Sequence, residues 1–315
     1  MKRHVMSDSS DTAHGDFLLC GWRVRSELPL PELLSWNGDP KTPVTVTIRS
    51  GELPDRLENA VNPGNHLMMV SPDGDVLLHI PGLVKILVVG GHSVTVQVLR
   101  SGDEGWRLFL LGSALAYLCH QRRLLPLHAA CLVVGGKAIA LVGPSGYGKS
   151  TLALALSRCG HHLLSDDVTV LSPATESGAK PLILPAYPRL KLWRDSVQNF
   201  GEQPDSFRRV RDDLDKFDLC GLGDFDPTPH PLDGVMLLAK GKKTALEPVA
   251  KPLATVQLFQ QISRLKTAKC LGRQQYLFAQ CGAIAGAVPV WQLTRSDDFA
   301  DLPALVELVE GRDHL

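Results

Sequence analysis

The 315-residue chain carries 33 Lys and Arg against 33 Asp and Glu, so no net field draws it to nucleic acid or an anionic membrane. Its 44% apolar and 21% charged residues supply ample core, and no uninterrupted apolar run is long enough to span a bilayer. Seven cysteines, several of them inside apolar periodic segments and none in a C-x-x-C pair, predict buried thiols in a reducing cytoplasm rather than a disulfide framework or a zinc site.

Residues 1–16 are polar, aperiodic and lack the apolar stretch of a signal peptide, which predicts a disordered tail. Residues 17–102 predict a β-rich N-terminal module. Short strands are expected at Val44–Ile48, His66–Val70, Val76–Ile80, Val84–Val89 and Ser93–Leu99, separated by Pro and Gly. Pro72-Asp73-Gly74 and Gly90-Gly91 have the composition of hairpin turns. His66, His79 and His92 are scattered along these strands as ordinary histidines rather than a metal site. A turn-rich joint at Ser101–Gly105 marks a boundary, and residues 103–315 form the second part. Trp106 to Leu125 reads as a helix, apolar round most of its circumference and therefore buried, stopped by Pro126. Gln121-Arg122-Arg123 suits its C-terminal end.

The most informative stretch follows. Ala138–Val142 is a buried-strand run leading into Gly143-Pro144-Ser145-Gly146-Tyr147-Gly148-Lys149-Ser150-Thr151, after which Leu152, Ala155, Leu156 and Cys159 carry a helical pattern to Gly160. Glycines without a Cβ let such a loop curl with its N–H groups inward and deliver phosphates to a helix N-terminus. Lys149 supplies charge to the β- and γ-phosphates, and Ser150 offers a hydroxyl to Mg²⁺, with Thr151 a weaker candidate. If Gly135-Gly136 is a two-residue turn, Val134 faces Lys137, and the register carries His128 to a position opposite Gly143, at the mouth of this loop.

A strand over Leu163–Leu171 carries Asp166-Asp167. Neighbours on a regular strand face opposite ways, so unless the strand bends there the two carboxylates divide their work: one for Mg²⁺, one to take a proton from an incoming hydroxyl. His161-His162 reads as solvated loop. Ser172–Lys180 is a polar loop, and Leu182–Leu184 leads into Tyr187–Trp193, where Arg189 and Lys191 share one strand face. Trp193–Ser196 opens a short helix. Phe200–Cys220 mixes charges with little apolar periodicity and predicts a mobile loop or partner-contacting segment, with a plain solvated excursion as the alternative. Beyond the rigid Pro227–Pro231, Val235–Ala239 is a buried strand, Pro252–Leu265 and Gln274–Ala287 are helical, Pro289–Thr294 is the last strand, and Leu302–Val309 closes the chain as a helix.

From His128 to Asp167 the chain resembles the catalytic domain of HPr kinase/phosphorylase. The shared features are a histidine before the loop, the G-x-S-G-x-G-K-S loop at Gly143–Ser150, Arg158-Cys159-Gly160-His161 ending the helix, and the paired aspartates. Tyr187–Trp193 and Val290–Arg295 look more like the HPr-kinase-related serine kinases of lasso-peptide biosynthesis, which phosphorylate a serine of the precursor peptide. The acidic residue usual after the first loop glycine is Pro144 here, and the Gly-Arg-Asn-rich signature of the true HPr enzymes is missing. The resemblance implies an α/β P-loop kinase domain, a mixed sheet with flanking helices, using ATP and Mg²⁺. It implies Asp166 as general base, His128 as its orienting partner, Lys149 on the phosphates, and Ser150 with Asp167 on the metal. Arg189 and Lys191 are added as stabilisers of the transferring phosphoryl group.

The expected function is therefore Mg-ATP-dependent phosphorylation of a serine or threonine on a peptide or small protein in the cytoplasm, most readily a lasso-type precursor. An HPr-like protein or a small alcohol is the alternative acceptor. A non-catalytic ATP-binding regulatory module is the alternative class, separable by Asp166→Asn. Homo-oligomerisation is left open.

Overall fold

The computed structural model describes residues 15–62, 67–173, 179–211, 214–220 and 223–311. Residues 1–14 of the expected tail, His66, and the centre of the polar loop at 172–180 lie outside them; Gly15 and Asp16 open the first strand. No helix among the described residues is long and apolar enough to cross a membrane.

The first eight strands form one sheet in the order Leu34–Ser35, Gly15–Leu19, Trp22–Ser26, Val46–Ser50, Ser93–Val98, Val84–Val89, Val76–Ile80, Met68–Val70. Alternation builds its inner face: Val84, Ile86 and Val88 are buried, as are Val94 and Val96 beside them. Val89 pairs with Ser93, so the turn after Val84–Val89 holds Gly90, Gly91 and His92 rather than the two glycines alone. A helix covers this face, with an α-turn at Trp106–Phe109, a π-helical stretch at Leu110–Ala114, and an α-helix over Leu115–Gln121. It stops earlier than its apolar pattern predicts. Pro126 forces Leu125 into an extended conformation, and Leu125–Leu127 becomes an edge strand, where a missing N–H is tolerated.

The second sheet has nine strands. Lys137–Val142, His230–Lys240 and Val290–Arg295 run parallel at its centre. Ala129–Val134 and Lys137–Val142 form the expected hairpin, with Val134 opposite Lys137 and Ala129 opposite Val142. Both faces are covered, and the strand residues show it. Ala138, Ala140 and Val142 pack towards Lys251–Gln260 and Gln274–Ala287, while Ile139 and Leu141 pack towards Lys149–Arg158 and Leu302–Glu310. The chain is thus mixed α/β, with several sheets and helices. The predicted helix at Pro252–Leu265 is two elements, since Lys251–Gln260 ends before a separate helix at Leu265–Cys270.

Two departures shape the site. The strand expected over Leu163–Leu171 is broken: His162–Ser165 and Thr169–Ser172 pair with different neighbours, and Asp167 between them has φ +72°. The segment expected to be a mobile loop or a partner-contacting segment contains a hairpin, Arg208–Arg211 with Leu214–Cys220, which joins Arg189–Trp193 in a three-stranded sheet. Its apolar face is small, essentially Val210, Phe217 and Leu219 among charged neighbours, too sparse to register as periodicity. All seven cysteines are free thiols, but the expectation that they are buried holds for only four: Cys159, Cys220 and Cys270 are exposed.

Candidate active site

The loop after Lys137–Val142 is shaped by its glycines. A Cβ on Gly143 would press to 3.3 Å of the Leu238 carbonyl oxygen. Gly146 and Gly148 hold φ of +82° and +92°, which L side chains adopt only under strain. The helix Lys149–Arg158 then starts at Gly148 with no side chain capping it. Its first-turn N–H groups are left as donors for an anion.

Lys149 is buried, and its ammonium donates to the carbonyls of Gly143 at 2.6 Å and Pro144 at 3.0 Å. Burial pulls its pKa down to about 8, against the opposing pull of Asp166 and Asp167. Ser150 Oγ lies 2.8 and 3.0 Å from the two oxygens of Asp166, and the Lys191 backbone N–H donates to the same carboxylate at 2.9 Å. Asp167 sits across from this pair. Lys191 Nζ binds Asp167 Oδ2 at 2.8 Å and holds its carboxyl well below the usual range, with a hydrogen bond from His128 acting in the same direction. Burial works against the Lys191 ammonium, but Asp167 more than offsets it and keeps its pKa above the usual lysine value. His128 Nδ1 is 3.0 Å from the Asp167 carbonyl oxygen and 3.4 Å from Oδ1. A carbonyl only accepts, so Nδ1 carries the proton and Nε2 is the basic nitrogen of the neutral ring.

These groups line one cavity holding about 550 Å³ of space open to solvent. Of the residues expected from the sequence, His128, Ser145, Gly146, Gly148, Lys149, Ser150, Thr151, Asp166, Asp167 and Lys191 line it. Gly143 and Pro144 contribute through their carbonyls to Lys149, and Tyr147 through its carbonyl to Arg295 Nε at 2.7 Å.

Two expectations need correction. Arg189 does not reach the cavity: its guanidinium is held by Asp218 at 2.7 Å and lines a neighbouring recess with Glu32 and Arg107. The aspartate contacts also run opposite to the pairing that the resemblance implies. Ser150 pairs with Asp166, and His128 with Asp167, where the strand is broken at a residue with a left-handed backbone. Five residues that sequence reasoning missed complete the wall: Leu192, Trp193, Ser196, Lys216 and Arg295. Arg295 could have been found, since it ends a parallel strand on the edge where open α/β sheets bind ligands. Lys216 carried no readable signal.

No family model and no curated protein matches the sequence. Among solved structures, one described as the Hpr(Ser) kinase/phosphatase from Coxiella burnetii is similar over 60% of this chain and 89% of its own, with 17% identity and a TM-score of 0.31. A likeness that shallow carries no weight, and what the site does has to be read from its own geometry.

Proposed function

We propose that the chain is a Mg-ATP-dependent kinase that phosphorylates a serine or threonine hydroxyl of a peptide or small protein. One observation carries the reading. A glycine-shaped loop with its buried lysine, an oxygen-only pair (Ser150 with Asp166), and a second carboxylate (Asp167) beside a histidine share one cavity.

The residues fit a hard divalent cation. Ser150 Oγ and Asp166 offer oxygen donors alone, which suits Mg²⁺. Among the described residues no group of three or more His, Cys, Asp or Glu side chains is placed to hold an ion by itself. The ion would accordingly be shared with phosphate oxygens. When bound, Mg²⁺ neutralises charge on the β- and γ-phosphates.

Lys149 and the loop N–H groups hold the phosphates. The acceptor oxygen attacks Pγ, the new O–Pγ bond forms as the Pγ–O bond to ADP breaks, and the electron pair leaves on the β-phosphate. Asp167 takes the hydroxyl proton, and His128 positions it. Lys191 weakens Asp167 as a base while the two are paired. A phosphoryl oxygen that competes for Lys191 strengthens Asp167 when the proton must move. The acceptor to test first is a lasso-type precursor peptide, the cytoplasm is the proposed location, and residues 17–102 are proposed as a module beside a catalytic part at 103–315.

Titration calorimetry with Mg-ATP separates the two aspartates. Asp166→Asn should weaken binding about tenfold or more, and Asp167→Asn should leave it within about twofold. Equal losses in both variants would contradict the division of roles.

A further inference from the structure

The three-stranded sheet presents two faces. Leu190, Leu192, Phe217 and Leu219 pack into the core that holds the loop helix. The residues alternating with them face the other way, and Trp193 pairs directly with Lys216 across the strands. This second face supplies Lys191, Trp193 and Lys216 to the cavity wall.

The cations lining the cavity differ in how they are occupied. Lys149 rests on the Gly143 and Pro144 carbonyls and Lys191 on Asp167, while Arg295 is held by the Tyr147 and Ser296 carbonyls and Asp297. Lys216 has no carboxylate or carbonyl partner among the described residues; its ammonium stands 5.9 Å from the Trp193 ring. It lines the same cavity as Lys149 and Asp167, from the strand face that also carries Lys191.

We propose that Lys216 is a catalytic residue that contacts the transferring γ-phosphoryl group, so that the hairpin wall distinguishes ATP from ADP. The inference rests on the kinase reading. In that reaction the group lying between the phosphates on Lys149 and the hydroxyl at Asp167 is the γ-phosphoryl itself. Lys216 therefore meets charge that ADP lacks, and supports that charge as the bond to the β-phosphate breaks.

The test compares Mg-ADP with the Mg complex of the β,γ-imido analogue of ATP, by calorimetry, on wild type, Lys216→Met and Lys216→Arg. Methionine keeps an apolar stem against Trp193 and removes the charge. Lys216→Met should lose about 10- to 100-fold in affinity for the imido analogue and less than about twofold for ADP, and Lys216→Arg should retain most of the analogue affinity. Equal loss for both nucleotides, or no loss for either, overturns the role of Lys216 and leaves the kinase reading standing. Wild type that binds neither nucleotide overturns the kinase reading as well. If Lys216→Met does not fold, judged by thermal melting, Lys216→Gln is read by the same two ratios.

Discussion

Lys149 is poised between two environments. Folded against its own loop carbonyls it has a pKa near 8, whereas beside phosphate its charged form is favoured. Binding above pH 8 must therefore take up a proton, and nucleotide affinity should fall as pH rises past 8, approaching about tenfold per unit. Calorimetry at pH 8.5 in buffers of different ionisation enthalpy reads that uptake directly. A flat affinity up to pH 9 without proton uptake would contradict it. At this scale the sequence was informative about identity and poor about pairing. Lys149, Ser150 and both aspartates were recognisable from residue type and spacing. Which aspartate met Ser150 depended on a left-handed residue at Asp167, and a strand pattern of Leu163–Leu171 gives no warning of it. The displacement of Arg189 towards Asp218 was equally hidden, since Asp218 belongs to a hairpin with little apolar signature.

Among elements, the loop and its flanks were the most legible, because glycine spacing and a two-residue turn leave few conformations open. Gly146 and Gly148 allow a paired test. A Cβ at Gly146 meets nothing within 4 Å, whereas at Gly148 it would stand 2.9 Å from Arg295 Nε. Gly146→Ala should cost about 1–2 kcal/mol from its left-handed backbone alone. Gly148→Ala should cost more, by thermal melting, and should also weaken nucleotide binding by displacing Arg295. Equal effects would show that Arg295 does not press on the loop. The hairpin at 208–220 was the least legible element. Phe217 and Leu219 are buried from one face, and the charged residues between them serve the other. The end of the helix at Gln121 was missed for a different reason: Leu124, Leu125 and Leu127 extend the helical apolar pattern into what the proline makes a strand.

For the whole molecule, composition excluded a bilayer-spanning helix but did not show how the sheets join. The core of the eight-stranded sheet takes in the helix from Trp106 onward, and also Val168, Val170, Ala186 and Tyr187 near the cavity. That is why the helix is apolar round so much of its surface. Glu32 and Arg107 add a buried ion pair, 2.9 Å apart, between the first sheet's connections and this helix. Glu32→Ala leaves Arg107 with the more exposed Glu104 alone and should cost about 3–5 kcal/mol by denaturant titration. A loss below about 1 kcal/mol would mean that water already compensates the pair. The central claim is that one cavity both binds the nucleotide and deprotonates the acceptor through Asp167. Transfer of label from γ-labelled ATP to serine peptides, with wild type and Asp167→Asn side by side, tests it most directly. Wild type should label a peptide, and Asp167→Asn should do so about 100- to 10,000-fold more slowly while still binding Mg-ATP; equal rates in the two proteins would contradict the account.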